Sequence, residues 1–341
     1  MSKFPKMKVL NSEGQEIVLN EREKLVATHM ERQTNSLGFQ IDINTMTSIQ
    51  KKITEQKFFE IPPADYMPLR VGNGSWSAQL TTYRQFSLGD DFSTGIINAG
   101  SNNARLAQTD VGIDAVNVPV INWGKAIGWT LFELQQASLS GNWDLITAKE
   151  QSRKKNWDLG IQKIAFLGMG SIPGLLTQQG ITTDSTTIGT PISQMSGAQL
   201  KIFVAAILNV YRANNNRTAW PTHFVVPESD YLGLASPSSA DFPLKSVIQV
   251  LQETFAVMTK NPSFQILPCA YGDAAYNGLG AVRYALYNGL DDASLRMDIP
   301  VDYTNTLANS ADSFSWQNVG FGQFTGCYSY RPQELMYFTH A

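Results

Sequence analysis

From Trp143 to Phe166 the chain carries no proline and a single glycine, Gly160. No other stretch limits the fold as much, because a backbone so free of breakers favours one uninterrupted α-helix. Trp143, Ile146, Trp157, Ile161 and Ile164 fall near one face at steps of three and four, with a polar gap halfway along. Asn142 is placed as the N-cap, Asp144 sits in the first turn where the helix dipole favours an anion, and Glu150 precedes Lys154 by four residues. At ~1.5 Å per residue, roughly 24 residues span about 36 Å, longer than an average globular helix. Such a rod, weakly apolar in its middle, is more than a simple core helix requires.

The chain of 341 residues and 37.7 kDa is long enough for one to three domains. Its charged fraction is 16%, against about 25% in ordinary proteins, and Asn, Gln, Ser and Thr fill the difference. Depletion of charge fits many copies packed side by side, or a compositional habit of the source genome. A net charge of −3 and a pI near 5.7 exclude the global basic footprint of an autonomous nucleic-acid binder, leaving local patches for any such contact. Cys269 and Cys327 are the only cysteines, too few for a disulfide framework or a thiolate zinc site, and free thiols in a reducing cytoplasm are expected. The first residues lack an apolar signal region, and no apolar run approaches the ~20 residues of a membrane span, so a soluble chain is expected.

Charge is unevenly spread: residues 1–60 hold 17 charged residues, about twice the density of the remainder. Two amphipathic fragments, roughly Glu21 to Gln33 and Thr45 to Phe59, flank a polar break, which suits an arm that orders against something else. From Trp76 the apolar period becomes two, through Ala78 and Leu80. A second alternating run, Val111, Ile113, Ala115 and then Val116, Val118, Val120, slips by one residue, which reads as a bulge at Ala115-Val116. Together they predict a long two-stranded ribbon with a loose tip. A ribbon alone is marginal in water, so it needs a partner surface, either another subunit or a larger sheet of its own chain.

Residues from about Ile181 to Asn288 read as a compact α/β region. Ser196-Gly197-Ala198-Gln199 forms a capping box ahead of Leu200, Phe203, Val204, Ile207 and Tyr211, and a second helix begins at Pro243 with Val247, Leu251 and Phe255 on one side. Strands are expected from His223, at Phe264 to Leu267 and at Ala281 to Tyr287, then at Leu295 to Ile299, Trp316 to Phe324, Cys327 to Tyr330 and Glu334 to Phe338.

Chemistry is hard to find. Gly168-Met169-Gly170-Ser171-Ile172-Pro173-Gly174 follows a helix and lacks the Gly-Lys-Ser/Thr ending of a phosphate loop, so it reads as a helix stop and turn. None of His29, His223 and His340 has a second ligand at metal spacing. His223, with Glu228 and Asp230 nearby, leaves a hydrolase as a remote alternative, without a nucleophile elbow to support it. Asp90-Asp91 and Asp291-Asp292 suit solvated turns. Lys149, Arg153, Lys154, Lys155 and Lys163 form a solvated helix face or a local polyanion contact. No cofactor is expected.

Trp123-Gly124-Lys125-Ala126-Ile127-Gly128-Trp129-Thr130, Glu133-Leu134, Ala137, the long helix with Lys149, Asp158 and Ile161, Phe166-Leu167-Gly168, Pro173-Gly174-Leu175-Leu176 and Tyr330-Arg331-Pro332-Gln333-Glu334 occur in that order. In this order they resemble a tailed-phage major capsid protein of the HK97-like fold, more narrowly a prophage-associated family formerly of unknown function. The resemblance implies an α+β fold with an N-terminal arm at 1–60 and an extended β-hairpin loop at 77–121. A peripheral domain would take residues 61–76, 122–182 and 291–341, with its spine helix at about 143–166, and an axial α/β domain residues 183–290.

It further implies a structural, non-enzymatic subunit that self-assembles through hexamers and pentamers into an icosahedral head around double-stranded DNA. The chain would be made in the bacterial host cytoplasm and located in the virion. Arm and loop would place Phe58, Phe59, Trp76, Phe86, Asp90, Asp91, Phe92 and Arg105 at subunit contacts. Lys149, Arg153 and Lys154 would face the DNA, and Trp143, Ile146, Trp157, Ile161 and Ile164 the fold core. An encapsulin-type compartment with the same fold is the alternative. Some members join subunits through a loop lysine, but residues 77–122 contain none, so no cross-link is expected from there. No charged helical extension precedes the arm, so a separate scaffolding protein or an already mature form is expected, beside a portal and decoration proteins.

Overall fold

The structure, a computed structural model, describes residues 8–10, 16–18, 59–88, 108–139, 144–236, 245–310 and 312–340. The chain divides into two compact units, 1–58 and 59–341. In the first, β1 (Lys8–Leu10) pairs antiparallel with β2 (Glu16–Val18). Both amphipathic fragments expected there lie outside the described residues, apart from Phe59 itself.

The second unit is built on a sheet with both faces covered. Its order is β7 (Thr183–Asp184), β15 (Leu335–Phe338), β10 (Tyr284–Tyr287), β8 (His223–Pro227) and β9 (Gln265–Cys269). Alternate residues point to opposite faces of a strand. Phe224, Val226, Tyr284, Leu286, Met336 and Phe338 therefore enter one core, while Val225, Ala285, Tyr287, Leu335 and Tyr337 enter another. A slip of one residue would exchange the two sets, so the register is firmly held.

The first core is closed by two helices, whose labels follow chain order after α1 (Leu131–Leu139), α2 (Leu145–Leu167): they are α3 (Gly197–Asn214) and, beyond the short α4 (Glu228–Gly233), α5 (Val247–Thr259). A reciprocal capping box, Ser196 with Gln199, starts α3, and at the start of α5 Gln249 accepts from the Ser246 N–H at 3.2 Å. The helix expected from Pro243 thus begins at Val247, and Pro243 itself lies outside the described residues.

Trp157, Ile161 and Ile164 of α2 are buried in the second core, as their phase requires, and Ile146 is half-buried. The helix begins at Leu145 with Asp144 as N-cap, whose carboxylate accepts from the Thr147 N–H at 3.1 Å. Asn142, expected to cap it, and Trp143, expected in its core, lie outside the described residues. Gly168 ends it at φ +71°, where a Cβ would lie 2.1 Å from the Ile172 carbonyl oxygen. The glycine-rich turn is a helix stop, as its sequence suggested.

Two smaller sheets complete the unit. β6 (Ile121–Thr130) and β13 (Ser315–Phe324) form an unbroken antiparallel ladder beside β12 (Val301–Asn305). β11 (Leu295–Ile299) lies between β14 (Cys327–Ser329) and β3 (Leu69–Val71). β15 joins segments far apart in the chain. It lies in the segment 291–341 and is hydrogen-bonded to β10 and β7 of the five-stranded sheet, with all four of its residues buried.

Candidate functional site

β4 (Gln79–Leu88) and β5 (Asp110–Pro119) pair over ten residues, Gln79 opposite Pro119 through Leu88 opposite Asp110, without a register shift. The bulge expected at Ala115-Val116 is absent. What the one-residue slip records is a change of face. Val118 is fully buried at the ribbon's base, whereas Val111 and Ile113 stand on the other face, 51% and 71% exposed, beside Tyr83 at 72%. Phe86 lies over Gly112, where a Cβ would come within 2.3 Å of its ring.

Two arginines hold the base of the ribbon to the body. Arg296 donates to the Thr82 hydroxyl at 2.9 Å and to Asp298 at 3.1 Å, with its guanidinium 4.6 Å from the centre of the Tyr330 ring. Arg84 pairs with Asp114 across the ribbon and donates to the Tyr330 carbonyl at 3.3 Å. Burial by these contacts raises the Tyr330 phenol above its usual value, against the opposing pull of the Arg296 charge. Before the ribbon, Gly72, Gly74 and Trp76 adopt positive φ of +84°, +75° and +65°. Trp76, costly in that region for a bulky residue, donates its backbone N–H to Gln323 at 2.8 Å and sets its exposed ring 5.9 Å from that of Phe321.

On α2 the three cations expected to face DNA part company. Arg153 is 2% exposed and turned inward. It donates to the Tyr303 hydroxyl at 2.8 Å, to the Asn318 side chain and carbonyl at 2.8 and 2.9 Å, to Asn305 at 3.0 Å and to the Lys125 carbonyl at 3.3 Å, touching all three strands of the β6 sheet. Gly320 leaves it room, since a Cβ there would lie 2.6 Å from its Nε. Lying four residues before Trp157, Arg153 shares the apolar stripe and fills its polar gap. Lys149 reaches the Gly128 carbonyl at 2.8 Å and Glu133 at 3.0 Å, and Lys154 is exposed.

Phe86 and Phe59 are exposed, like Trp76, while Phe58, Asp90, Asp91, Phe92 and Arg105 lie outside the described residues. His223 is buried against Tyr287, ring centres 5.6 Å apart, with Nδ1 2.8 Å from the Thr222 hydroxyl; burial lowers its pKa. Asp230 accepts from the backbone N–H groups of Ile192 and Ser193 and from the Tyr284 hydroxyl. The two belong to separate networks, so the order His223, Asp230 in sequence assembles no relay. Among the described residues no group of His, Cys, Asp and Glu could hold a metal ion, and no helix is long and apolar enough to cross a membrane.

A spine helix crossed by a long β ladder, an axial sheet between two cores and a projecting ribbon define an HK97-like capsid fold of the α+β class. The chain belongs to the major capsid protein family, which it matches over residues 94–340. Its structure is similar to that in "The capsid of Myoviridae Phage XM1", with a TM-score of 0.74 and 17% identity, over 87% of this chain and 98% of that one. It is also similar to the capsid of the native GTA particle, at TM-score 0.55 and 12% identity over 89% and 98%. Mycobacterium phage Ogopogo gives 0.54 and 9% over 88% and 99%. At such identities the likeness is one of fold. No curated protein matches the chain.

Proposed function

We propose that copies of this chain close, as hexamers and pentamers, into an icosahedral head around double-stranded DNA, and that the chain is purely structural. The ribbon carries this reading. Ten residue pairs project an exposed face of Tyr83, Val111 and Ile113, and a two-stranded ribbon is marginal without a partner. In a major capsid protein, the partner that fits is another copy. Subunit contacts through Trp76, Phe86 and Phe59, all exposed, belong to the same reading.

Lys154, and in part Lys149, remain candidates for non-specific contact with DNA, while the burial of Arg153 removes it from that role. The chain would be made in the bacterial host cytoplasm and end in the virion, working with a separate scaffolding protein, a portal and decoration proteins. The absence of lysine from residues 77–122 supports a shell with no covalent cross-link starting in the ribbon.

Electron microscopy of the expressed protein tests this, with Ile113→Asp as the variant. Closed particles from the parent chain, and soluble folded subunits without particles from the variant, are expected. Particles formed equally well by Ile113→Asp would remove the ribbon face from assembly. Protein cargo in place of nuclease-protected DNA would point to the encapsulin-type compartment.

A further inference from the structure

Gln162 lies in the interior of α2 and is 4% exposed, an unfavourable place for an amide unless its polar atoms are paired. Its Oε1 accepts from the Ile61 N–H at 2.8 Å, and its Nε2 donates to the Tyr271 hydroxyl at 3.1 Å and the Phe59 carbonyl at 3.4 Å. An extended chain turns the carbonyl of one residue and the N–H of the second residue after it to the same side. A primary amide presents an acceptor and a donor side by side, so it pairs with both as a neighbouring strand would.

Side chains around it reinforce the grip. Ile61 is buried in the core below α2, Glu60 is paired with Lys155, and Phe59 meets Tyr271 edge to face at 6.5 Å. Tyr271 is itself stacked on Phe166 at 5.6 Å. This grip begins at Phe59, the first residue of the second unit. The next fixed point along the chain is the turn Pro63–Asp65 with buried Tyr66 and Met67.

We propose that Gln162, with Tyr271 and Lys155, is a clasp: this one amide holds residues 59–61 on the spine helix, and its loss frees the stretch up to the turn Pro63–Asp65. Opening it would free about four residues, roughly 13 Å of extended chain at ~3.3 Å per residue. Gln162 is a positioning residue for residues 59–61. The inference does not depend on the shell reading, because it concerns the subunit alone.

Hydrogen exchange on the full chain, kept as soluble subunits, tests it through the Ile61 amide. In the parent chain this amide is expected to exchange at least about tenfold more slowly than in an unstructured peptide, since it is bonded and buried. In Gln162→Met it should exchange at the peptide rate, while the amides of Leu175 and Leu176, bonded to Ala165 and Phe166, keep their protection. An unprotected Ile61 amide in the parent chain overturns the proposal, and so does a folded Gln162→Met that leaves it protected. Uniform loss at all three amides would make Gln162 a residue of general stability and also overturn it. Should Gln162→Met fail to fold, Tyr271→Phe removes one partner of the amide and should speed Ile61 exchange about fivefold, the size of one hydrogen bond. No change at Ile61 in that variant overturns the clasp.

Discussion

Arg153→Met tests whether the middle of the spine helix is held by polar contacts to the sheet. Methionine keeps most of the stem's packing and good helix propensity, but loses every donor. The acceptors left behind differ in what water can repair. Lys125 and Asn305 are exposed, so their oxygens can be rehydrated at little cost. Asn318 is 5% exposed and loses bonds at both its carbonyl and its side chain, and half-buried Tyr303 loses one more.

At about 1–3 kcal/mol for a buried group left unsatisfied, Asn318 and Tyr303 together put the gross loss near 2–6 kcal/mol. Removal of a buried cation that no carboxylate contacts among the described residues offsets part of this. A net destabilisation of about 2–4 kcal/mol follows, equivalent to a fall of roughly 3–7 °C in unfolding midpoint for a unit of this size. Tryptophan fluorescence on soluble subunits is a direct assay, because Trp157 packs one turn away with its ring 5.2 Å from that of Trp123. Arg153→Lys should recover less than half, since one ammonium cannot reproduce a planar fork bonded to three strands. The neighbouring exposed Lys154→Met should stay within about 0.5 kcal/mol. A shift for Arg153→Met as small as that of Lys154→Met would refute the reasoning and return Arg153 to the solvated face.

Two further outcomes depend on burial. Cys269 and Cys327 are free and buried, with the Cys269 thiol pushed up to about 12 and that of Cys327 higher still by desolvation. At pH 8 neither should be alkylated in the native subunit and both should be after denaturation; native labelling at the rate of a free thiol would contradict this. For His223, burial holds the folded pKa below 6.5, so the unfolded chain takes up a proton first as pH falls. Its contribution to stability is therefore complete above about pH 6.5 and declines below it. The loss in denaturation midpoint between pH 7.5 and 5.5 should be smaller in His223→Gln than in the parent chain, and an equal loss would remove His223 from the cause.

Much of the architecture was legible in local pattern. Uninterrupted helix propensity over 143–166 located α2 to within two residues at its start, and alternation located β5, while the run Trp76, Ala78 and Leu80 overlaps β4 only at its first residues. What failed was placement by residue type without regard to phase. Residue type groups Arg153 with the neighbouring cations, but its spacing to Trp157 and Ile161 puts it on the buried stripe. The slip at Ala115-Val116 was assigned to a bulge, but the base of the ribbon packs on the body through one face and its outer half exposes apolar groups on the other.

Non-local partners left no mark in the sequence. Gln162 sits beside Ile161 like any polar neighbour, and its partners lie about a hundred residues away on either side. Arg296 and Arg84 became ribbon anchors only once β11 and β4 were in place. Glu334 to Phe338 is legible as a strand, yet nothing local says that its neighbour is β10.

Cryo-electron microscopy of particles formed by the expressed chain tests the central claim most directly. The account predicts closed icosahedral shells of hexamers and pentamers, in which the face bearing Tyr83, Val111 and Ile113 lies against a neighbouring subunit. A chain that stays monomeric at every concentration and ionic strength, or shells in which that face remains open to solvent, would contradict it.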